Sequence, residues 1–454
     1  MARDWIRLPS YSSKDEAEKY APDGWQVFQI EHLYEQLPVG KRFEQKTSLP
    51  VGRVPVVDQS ATGVVGWHNE APGVLASPEN PVVTFANHTC EMRLMEEPFS
   101  VIQNVFPLIG KNGVCRTRFL YYLTKGRVWL EEYKGHFPEF RRKWLCCPPD
   151  NEQEQMVKVL GDLDEKIALN HRINQTLEAM AQAIFKSWFV DFDPVKAKIA
   201  AKQEGRDPLR AAMTAISGKP ETELDALPPE NYGQLAATAA PFPDEMEESE
   251  LGEIPKGWAP GTLSAVCDLN TNSWSAKTLP ASVKYVDLAN TKNGEVIEVQ
   301  TMEGTNIPSR ARRILEAGDT IIGTVRPGNR SFALVGEAGL TGSTGFAALR
   351  PRKSYLREYV YLAATADTNI ERLAHLADGG AYPAVRPELV VSDALPIPSE
   401  DLLREFHRIC SPMFDQVLKM RRANRGLADL RDSLLPKLLS GELSVIEAMA
   451  EAEA

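Results

Sequence analysis

The chain has 454 residues, of which 43% are hydrophobic and 25% charged, and its formal net charge at pH 7 is −11. This length predicts about three domains or substructures, and no stretch approaches the roughly 18 consecutive apolar residues of a membrane-spanning helix. An integral membrane protein is therefore excluded, and the absence of an apolar signal-peptide core indicates a cytoplasmic location. The six cysteines contain no Cys-x-x-Cys pair, which indicates reduced thiols rather than a zinc site or a disulfide framework.

The acidity is concentrated in one segment of the chain. Lys plus Arg number 18 against 18 Asp plus Glu in residues 1–150, and 10 against 19 in residues 151–250. The counts are 15 against 16 in residues 251–400 and 8 against 9 in residues 401–454. The two largest blocks are thus close to neutral. They are free to present a local basic face, and a nucleic-acid partner is not excluded by the net charge.

The first block, residues 1–150, is predicted to be a mixed strand-and-helix domain. Short β-branched runs between turn residues occur at 54–57, 81–85 and 101–102, and residues 116–125 are typical of a helix.

Residues 151–189 predict a long helix with apolar residues spaced alternately by four and three, the pattern of a coiled-coil seam. The seam residues are Leu160, Leu163, Ile167, Asn174 and Leu177. After this helix, residues 190–250 predict an acidic linker, helical in part at 193–203, with too few large apolar residues for a core.

The second block, residues 251–400, is predicted to be another mixed domain. It has β-branched runs at 283–286, 296–299, 320–323 and 332–335, and a helical pattern between Arg357 and Ala374. A second long helix at 401–440 and a tail at 441–454 complete the chain. The seam residues of this helix are Met413, Val417, Asn424, Leu427 and Leu434.

Two constant offsets reveal an internal repeat. Arg172, Asn174 and Leu177 of the first helix are matched by Arg422, Asn424 and Leu427, each 250 residues later. Pro22-Asp-Gly-Trp25 is matched by Pro255-Lys-Gly-Trp258, 233 residues later. The sequence therefore predicts a duplicated unit of domain plus helix, whose two helices pair with each other about a pseudo-twofold axis. We expect this pair to be antiparallel, because a domain-sized block between the helices easily reverses the chain direction. The intervening domain sequences barely resemble each other, so the scaffold is expected to repeat while the domains differ.

Glycine-rich loops in both blocks carry polar or basic residues that are able to reach base edges or phosphates. Taken singly, each loop is more readily explained as an ordinary surface turn, but their recurrence in both halves favours nucleic-acid binding. The predicted DNA-contacting residues are Gln59, Ser60, Thr62, His68, Asn87, Lys111, Arg116 and Arg118 in the first block, and Arg326, Asn329, Arg330, Thr344, Tyr382 and Arg386 in the second.

An aromatic group ends the first long helix. Its members, predicted as a docking surface for a partner subunit, are Phe185, Trp188, Phe189 and Phe192. The alternative is that they pack against the chain's own second helix or domain.

No residues with the spacing of a catalytic or cofactor-binding motif are evident. The chain has no phosphate-binding glycine loop and no His-Glu-x-x-His motif. Asp23, followed by Glu44 and Lys46, mimics a magnesium-dependent nuclease, but the repeat places Lys256 where Asp23 stands. A stand-alone nuclease and a coiled-coil scaffold without a DNA role remain the alternatives to a DNA-reading protein.

Several longer segments carry a family resemblance. They are residues 160–180 (LGDLDEKIALNHRINQTLEAM), 185–194 (FKSWFVDFDP), 250–258 (ELGEIPKGW), 378–386 (DGGAYPAVR) and 430–443 (LRDSLLPKLLSGEL). In these segments the chain closely resembles the DNA specificity subunit of type I restriction–modification systems.

The resemblance implies an α+β protein with two target-recognition domains separated by an antiparallel pair of long helices. It implies that each domain reads one half of a bipartite, asymmetric DNA site, with the helices setting the gap. It also implies a subunit without an active site or cofactor of its own. Two methylation subunits using S-adenosylmethionine would dock on it, joined by restriction subunits using ATP and magnesium.

Overall fold

The computed structural model describes residues 8–60, 63–130, 132, 134–377 and 383–453. The chain forms two compact units: the first comprises residues up to Leu169 together with those from Ala423 onward, and the second comprises Asn170–Arg422. Each long helix is shared between the units, since its two halves pack with different sheets. This division differs from the predicted one, in which domains and helices are separate segments.

The first unit is built on short strands and helices that precede the first long helix. In chain order these are α1 (Lys14–Tyr20), β1 (Gln26–Gln29), β2 (Tyr34–Gln36), β3 (Val54–Val57), β4 (Val64–His68), β5 (Val82–Ala86), β6 (Met92–Met95), β7 (Ser100–Val101), β8 (Val105–Gly110), α2 (Thr117–Thr124), α3 (Phe137–Arg142), β9 (Trp144–Cys147) and α4 (Asp150–Phe189). One sheet has the order β2-β8-β5-β6 and a second the order β4-β3-β7, while β1 pairs with β9. Every residue of β5 is buried, as its β-branched and aromatic sequence VVTFA favours.

The predicted linker at 190–250 is largely helical, which corrects the expectation of a segment without a core. It contains α5 (Asp193–Gln203), α6 (Pro208–Ser217), α7 (Glu221–Leu224) and α8 (Pro229–Ala239), and α5 has the predicted bounds. Ala212, Met213, Leu224 and Ala239 form a small buried cluster. Alanines allow helices to approach closely, so a compact core forms with few large side chains.

The second unit continues with a larger set of strands. In chain order these elements are β10 (Met246–Ser249), β11 (Gly252–Pro255), β12 (Ala259–Thr262), β13 (Cys267–Leu269), β14 (Ser282–Val286), β15 (Thr291–Lys292), β16 (Glu295–Val296), β17 (Gln300–Glu303), β18 (Ala311–Leu315), β19 (Thr320–Gly323), β20 (Phe332–Leu334), β21 (Leu340–Ser343), β22 (Phe346–Pro351), α9 (Arg357–Thr365), α10 (Asp367–Ala377), β23 (Ala394–Ile397) and α11 (Glu400–Ser440). The predicted tail instead forms α12 (Val445–Glu453), whose Val445 and Ala448 are buried in the core of the first unit.

The internal repeat extends through the domains themselves. The sheet order β2-β8-β5-β6 of the first unit recurs as β13-β22-β19-β20 in the second. The parallel pair β3 and β7 recurs as β14 and β21, and β1 paired with β9 recurs as β12 paired with β23. The expectation that only the scaffold repeats is therefore too narrow, because sheet pairing follows apolar alternation and not residue identity.

The two long helices pair antiparallel, as predicted. In the first unit Arg431 of α11 bonds Asp164 of α4, and the Asn424 amide donates to the Ile167 carbonyl. In the second unit Arg421 pairs with Glu178, and Phe406 packs on Phe185. Successively later residues of α4 therefore lie beside successively earlier residues of α11, so the two helices run in opposite directions.

The predicted seam residues face the interior of their units. Leu160, Leu163, Asn174, Val417, Asn424 and Leu434 are buried, and Ile167, Leu177, Met413 and Leu427 are partly buried. All six cysteines are free thiols. Within the described part of the chain, no helix combines the length and apolar character needed to cross a membrane.

Candidate nucleic-acid interface

In the first unit, three loops meet at one end of the β2-β8-β5-β6 sheet. Strands β5 and β8 are antiparallel, so the end of β5 lies beside the start of β8, where Ala86 faces Val105. The loop after β5 carries Asn87, whose backbone oxygen accepts from His136 N at 2.8 Å. The Asn87 side-chain oxygen accepts from Phe137 N at 2.9 Å. Asn87 therefore joins its loop to the segment that begins α3.

The loop between β3 and β4 joins the same cluster. The Gln59 side-chain oxygen accepts from His88 N at 2.9 Å, and the Gln59 carbonyl accepts from the Thr89 hydroxyl at 2.6 Å. The Ser60 hydroxyl donates to Asp58 at 2.8 Å. Gln59, Ser60 and Asn87 are thus brought together by direct bonds between their loops.

Arg93 of β6 fastens this cluster and is a residue that the sequence analysis missed. Its guanidinium donates to the carbonyl oxygens of Asp58 and Ser60. Gly63 has a φ of +83° and leaves room for that guanidinium. A single arginine within a short strand gives no sequence signal of such a role.

Lys111, Arg116 and Arg118 lie beyond the other end of β8, away from the loop that carries Asn87. The Arg116 guanidinium donates to both carboxylate oxygens of Asp150 at 2.7 Å and to Glu154 at 3.0 Å. The hydrogen bond to Asp150 raises the pKa of Arg116 and lowers that of Asp150. Arg118 donates to the Pro78 carbonyl at 2.8 Å and pairs with Glu96. The structure therefore divides the first predicted set between two opposite ends of a sheet.

His68 is buried, with 3% of its surface exposed, and it stacks on Phe43. One ring nitrogen lies 2.9 Å from the Ser100 hydroxyl, and the other accepts from Glu70 N at 3.1 Å. Burial lowers the pKa of this imidazole. These contacts give His68 a packing role, and the side chain does not belong to the exposed loop surface.

In the second unit, backbone hydrogen bonds link four loops at one end of the β13-β22-β19-β20 sheet. Thr324 N donates to Gly345 O at 2.8 Å, and Val385 N donates to Thr324 O at 2.9 Å. Arg326 N donates to Pro383 O, and Thr344 N to Arg310 O, both at 2.8 Å. The predicted residues on this surface are Arg326, Asn329, Arg330, Thr344 and Arg386. Tyr382, and Thr62 of the first unit, lie outside the described residues.

The loop after β19 has an unusual backbone. Arg326 and Arg330 have φ values of +47° and +59° and flank the short helical turn Pro327–Asn329. Left-handed non-glycine residues cost of order 1–3 kcal/mol each and tend to occur at functional sites. Arg330 pairs with Asp367 at 2.7 Å, whereas Arg326 is exposed and has no ion pair within the described ranges. The loop thus holds the Arg326 side chain toward solvent.

The loop after β5 and the loop after β19 occupy the same place in the repeated sheet order. Asn87 and His88 of the first unit therefore correspond in topology to the Arg326–Arg330 loop of the second. The two units present different side chains from one scaffold.

The aromatic residues that end α4 belong to the core of the second unit, which corrects the prediction of a partner-subunit interface. Phe185, Trp188 and Phe189 are buried, and Phe192, which is partly buried, packs on Trp258. Trp188 and Phe189 contact Phe406 of α11 with ring centroids 5.8 and 4.9 Å apart. The chain's own residues cover these rings, so they are not available to another subunit.

Among the described residues, no group of three or more His, Cys, Asp or Glu side chains is placed to hold a metal ion. Glu44 caps the turn Gln45–Thr47 through a reciprocal pair of hydrogen bonds with Thr47.

Comparisons with known proteins place the chain in a family. Residues 22–179 match the family model described as the type I restriction modification DNA specificity domain. The chain is 31% identical over 380 residues to the type I restriction enzyme HindI specificity subunit of Haemophilus influenzae, covering 76% of this chain and 81% of that protein. It is 21% identical over 384 residues to the MjaIX specificity subunit of Methanocaldococcus jannaschii, covering 78% and 75%. The crystal structure of the type I S subunit from M. genitalium is similar over 91% of this chain and 96% of that one, with 12% identity and a TM-score of 0.48. The identity to the HindI protein shows that this chain belongs to the specificity subunits of type I restriction–modification systems.

Proposed function

We propose that each unit reads one half of a bipartite, asymmetric DNA site through the loops at the end of its repeated sheet. The observation that carries this proposal is the topological match between the Asn87 loop and the Arg326–Arg330 loop. One scaffold with two different loop surfaces suits a site whose halves differ in sequence. In the second unit Arg326 and Arg386 are exposed and supply the donors that read guanine edges or bind phosphates.

In this proposal the chain carries no chemistry of its own. Adenine methylation is performed by two methylation subunits that hold S-adenosylmethionine, and cleavage by restriction subunits that hold ATP and magnesium. The family membership supports this division of labour, because the HindI relative is the specificity subunit of a type I restriction enzyme.

The test is a map of methylated adenines in cells that contain the methylation subunits, with and without this chain. The proposal requires methylation at one bipartite sequence that disappears without the chain. Arg326→Ala is expected to relax recognition in one half of that sequence only, at roughly 1–3 kcal/mol for a lost bidentate base contact. Gln59→Ala is expected to affect only the other half. Unchanged methylation without the chain would contradict the proposal.

Arg116→Ala is the matched comparison in the first unit. Its guanidinium is held by Asp150 and Glu154, so we expect the recognised sequence to stay the same. A changed first half-site in this variant would restore the sequence-based assignment of Arg116 to base reading. Metal-dependent cleavage of DNA by the purified chain alone would instead support the nuclease alternative.

A further inference from the structure

Strand β18 of the second unit carries an arginine-rich sequence, Ser309-Arg-Ala-Arg-Arg313, that the sequence analysis passed over. The strand ends the sheet order β17-β14-β21-β18. In the first unit the corresponding sheet is β4-β3-β7, and the described residues there include no fourth strand beside β7. The arginine strand is therefore a feature of one unit and not of the repeat.

The strand begins at the loop surface already described. The Arg310 carbonyl accepts from Thr344 N at 2.8 Å, and Ala311 faces Ser343 in the ladder with β21. Arg310 is exposed. Its side chain thus leaves the backbone next to Thr344, on the surface that carries Arg326.

A β-bulge sets the position of Arg312. The ladder with β21 shifts between Ala311 and Arg313, so Arg312 is the extra residue. Bulges bend a strand and re-aim a side chain. The Arg312 carbonyl accepts from Trp274 N at 2.8 Å. Two residues later, Ile314 N donates to Asn272 O at 3.1 Å. Both bonds go to residues 272–274, so the backbone around Arg312 is held along one edge of the strand before any ligand arrives.

The charges of Arg310 and Arg312 are not neutralised by the chain. No carboxylate pairs with either guanidinium within the described parts of the chain, and Arg312 Nη1 is buried without a hydrogen-bond partner there. Several other guanidinium groups of this unit do have carboxylate partners, as in Arg350 with Asp319, Arg352 with Asp268 and Arg372 with Asp393.

Arg313 differs from its two neighbours. Its guanidinium donates to the Ser273 hydroxyl at 3.3 Å, and burial lowers its pKa while the nearby Glu388 charge raises it. Arg313 is thus engaged with its own domain. Of the three arginines, only Arg310, which is exposed, and Arg312, which is partly buried, have neither a side-chain hydrogen bond nor a carboxylate partner within the described residues.

We propose that Arg310 and Arg312 bind backbone phosphates of the DNA duplex beside the half-site read by the second unit, an anchor that the first unit lacks. The inference rests on the proposed function. The planar guanidinium matches the geometry of a phosphate, and such contacts position a protein on DNA without reading its sequence. The bulge and the backbone bonds at Arg312 supply the rigidity that such an anchor needs.

The test uses the full chain assembled with its methylation subunits and measures the dissociation constant for target duplex as a function of salt. Loss of two phosphate contacts should reduce the slope of log K against log salt by about 1.8. At 0.15 M salt this corresponds to about 30-fold weaker binding for R310Q/R312Q. The same factor is expected for duplexes altered in either half-site, because phosphate contacts are insensitive to sequence. Footprinting should show lost backbone protection beside the second half-site only.

Two further variants make the result specific. R310K/R312K keeps the charges and should retain most of the salt slope, while R352Q removes an arginine that is paired with Asp268 and should leave both slope and affinity unchanged. Glutamine keeps a polar, hydrogen-bonding side chain while removing the charge, and thermal unfolding of each variant identifies any loss of fold. If R310Q/R312Q, still folded, binds with the wild-type slope, or if it changes the recognised bases, the inference is overturned. If the wild-type complex shows no preferred sequence at all, it is the proposed function that fails.

Discussion

Asp164 of α4 and Arg431 of α11 form an ion pair in which Oδ1 lies 2.6 Å from Nη1, and Tyr122 of α2 donates to the other Asp164 oxygen at 2.8 Å. One carboxylate therefore joins both long helices and the first domain. Only 8% of Arg431 is exposed, and its guanidinium also bonds Asp432. In this network Asp164 accepts hydrogen bonds from Arg431 and Tyr122, and Arg431 is paired with two carboxylates.

The first prediction concerns this network. Asp164→Asn preserves the shape of the side chain but removes its charge and one of the two oxygens that accept from Arg431 and Tyr122. We expect the free energy of unfolding to fall by about 2 kcal/mol, the usual scale for a charged hydrogen bond lost in a part-buried place. Denaturant unfolding of the full chain measures it.

A matched control is Glu18→Gln, which breaks the exposed pair of Glu18 with Lys14. Exposed ion pairs contribute little, so this variant should unfold like the wild type. Equal stability of the Asp164→Asn and wild-type proteins would show that the network does not stabilise the first unit.

The second prediction is a pH dependence that originates at Lys125, at the end of α2. Burial, and secondarily the Arg431 charge, lower the pKa of Lys125 from 10.5 to about 7. The unfolded chain keeps the Lys125 proton up to about pH 10.5, whereas the folded chain loses it near pH 7. Between these values the unfolded state binds more protons, so this group makes stability rise with pH.

Lys125→Met removes this contribution while filling a similar volume. Above pH 7, the free energy of unfolding of the wild type should rise relative to that of the variant by up to about 1.4 kcal/mol per pH unit. Urea unfolding of both proteins at several pH values between 7 and 9.5 measures this difference in stability. Groups other than Lys125 titrate alike in both proteins, so their contributions cancel in the difference. Lys14→Met, at an exposed position, is the control and should run parallel to the wild type. Parallel curves for Lys125→Met as well would rule out a lowered pKa at this lysine.

The third prediction separates the two interpretations of the aromatic residues that end α4. Phe189 is 4% exposed and contacts Phe406, Tyr359 and Trp258. Phe189→Ala should therefore destabilise the isolated chain by about 3–5 kcal/mol through a cavity in the core. Val190→Ala, at the neighbouring exposed position, should have a negligible effect. A Phe189→Ala chain of normal stability that no longer binds a methylation subunit would instead support a docking surface.

The sequence was most informative where one physical pattern repeats. The heptad spacing from Leu160 to Leu177 predicted α4 and its pairing with α11, because a seam needs a periodic apolar face. Short β-branched runs likewise marked β3, β5, β14 and β19. Helices α6, α7 and α8 were not predicted, because small residues such as Ala212 and Ala239 carry little apolar signal in a charged segment.

The candidate site was harder to predict because it depends on which loops meet. Nothing local to Arg116 distinguishes it from Arg326, yet the first is held by Asp150 and Glu154 while the second is exposed on a left-handed loop. The partner that neutralises a guanidinium is set by tertiary structure. Arg310 and Arg312 were missed for the same reason, since a charged run in a sequence is ordinarily a solvated surface.

The fourth prediction is that the paired helices set the spacer between the two half-sites. One heptad inserted in each helix adds about 10 Å to its length and keeps the seam facing inward. Because α4 and α11 are antiparallel, the insertions must be placed opposite each other, beside Ile167 and Asn424. The Asn424 side-chain amide donates to the Ile167 carbonyl at 3.3 Å. Base pairs rise about 3.4 Å each, so the preferred gap should lengthen by about three base pairs.

Methylome mapping of the doubly inserted variant measures the new gap, and a two-residue insertion at the same two positions is the control. Two residues turn the seam outward, so this control should lose methylation instead of shifting the spacer. The sequences of the two half-sites should be unchanged in the heptad variant, since the reading loops are untouched. An unchanged spacer length in the heptad variant, or full methylation by the two-residue variant, would show that the helices do not set the spacer between the half-sites.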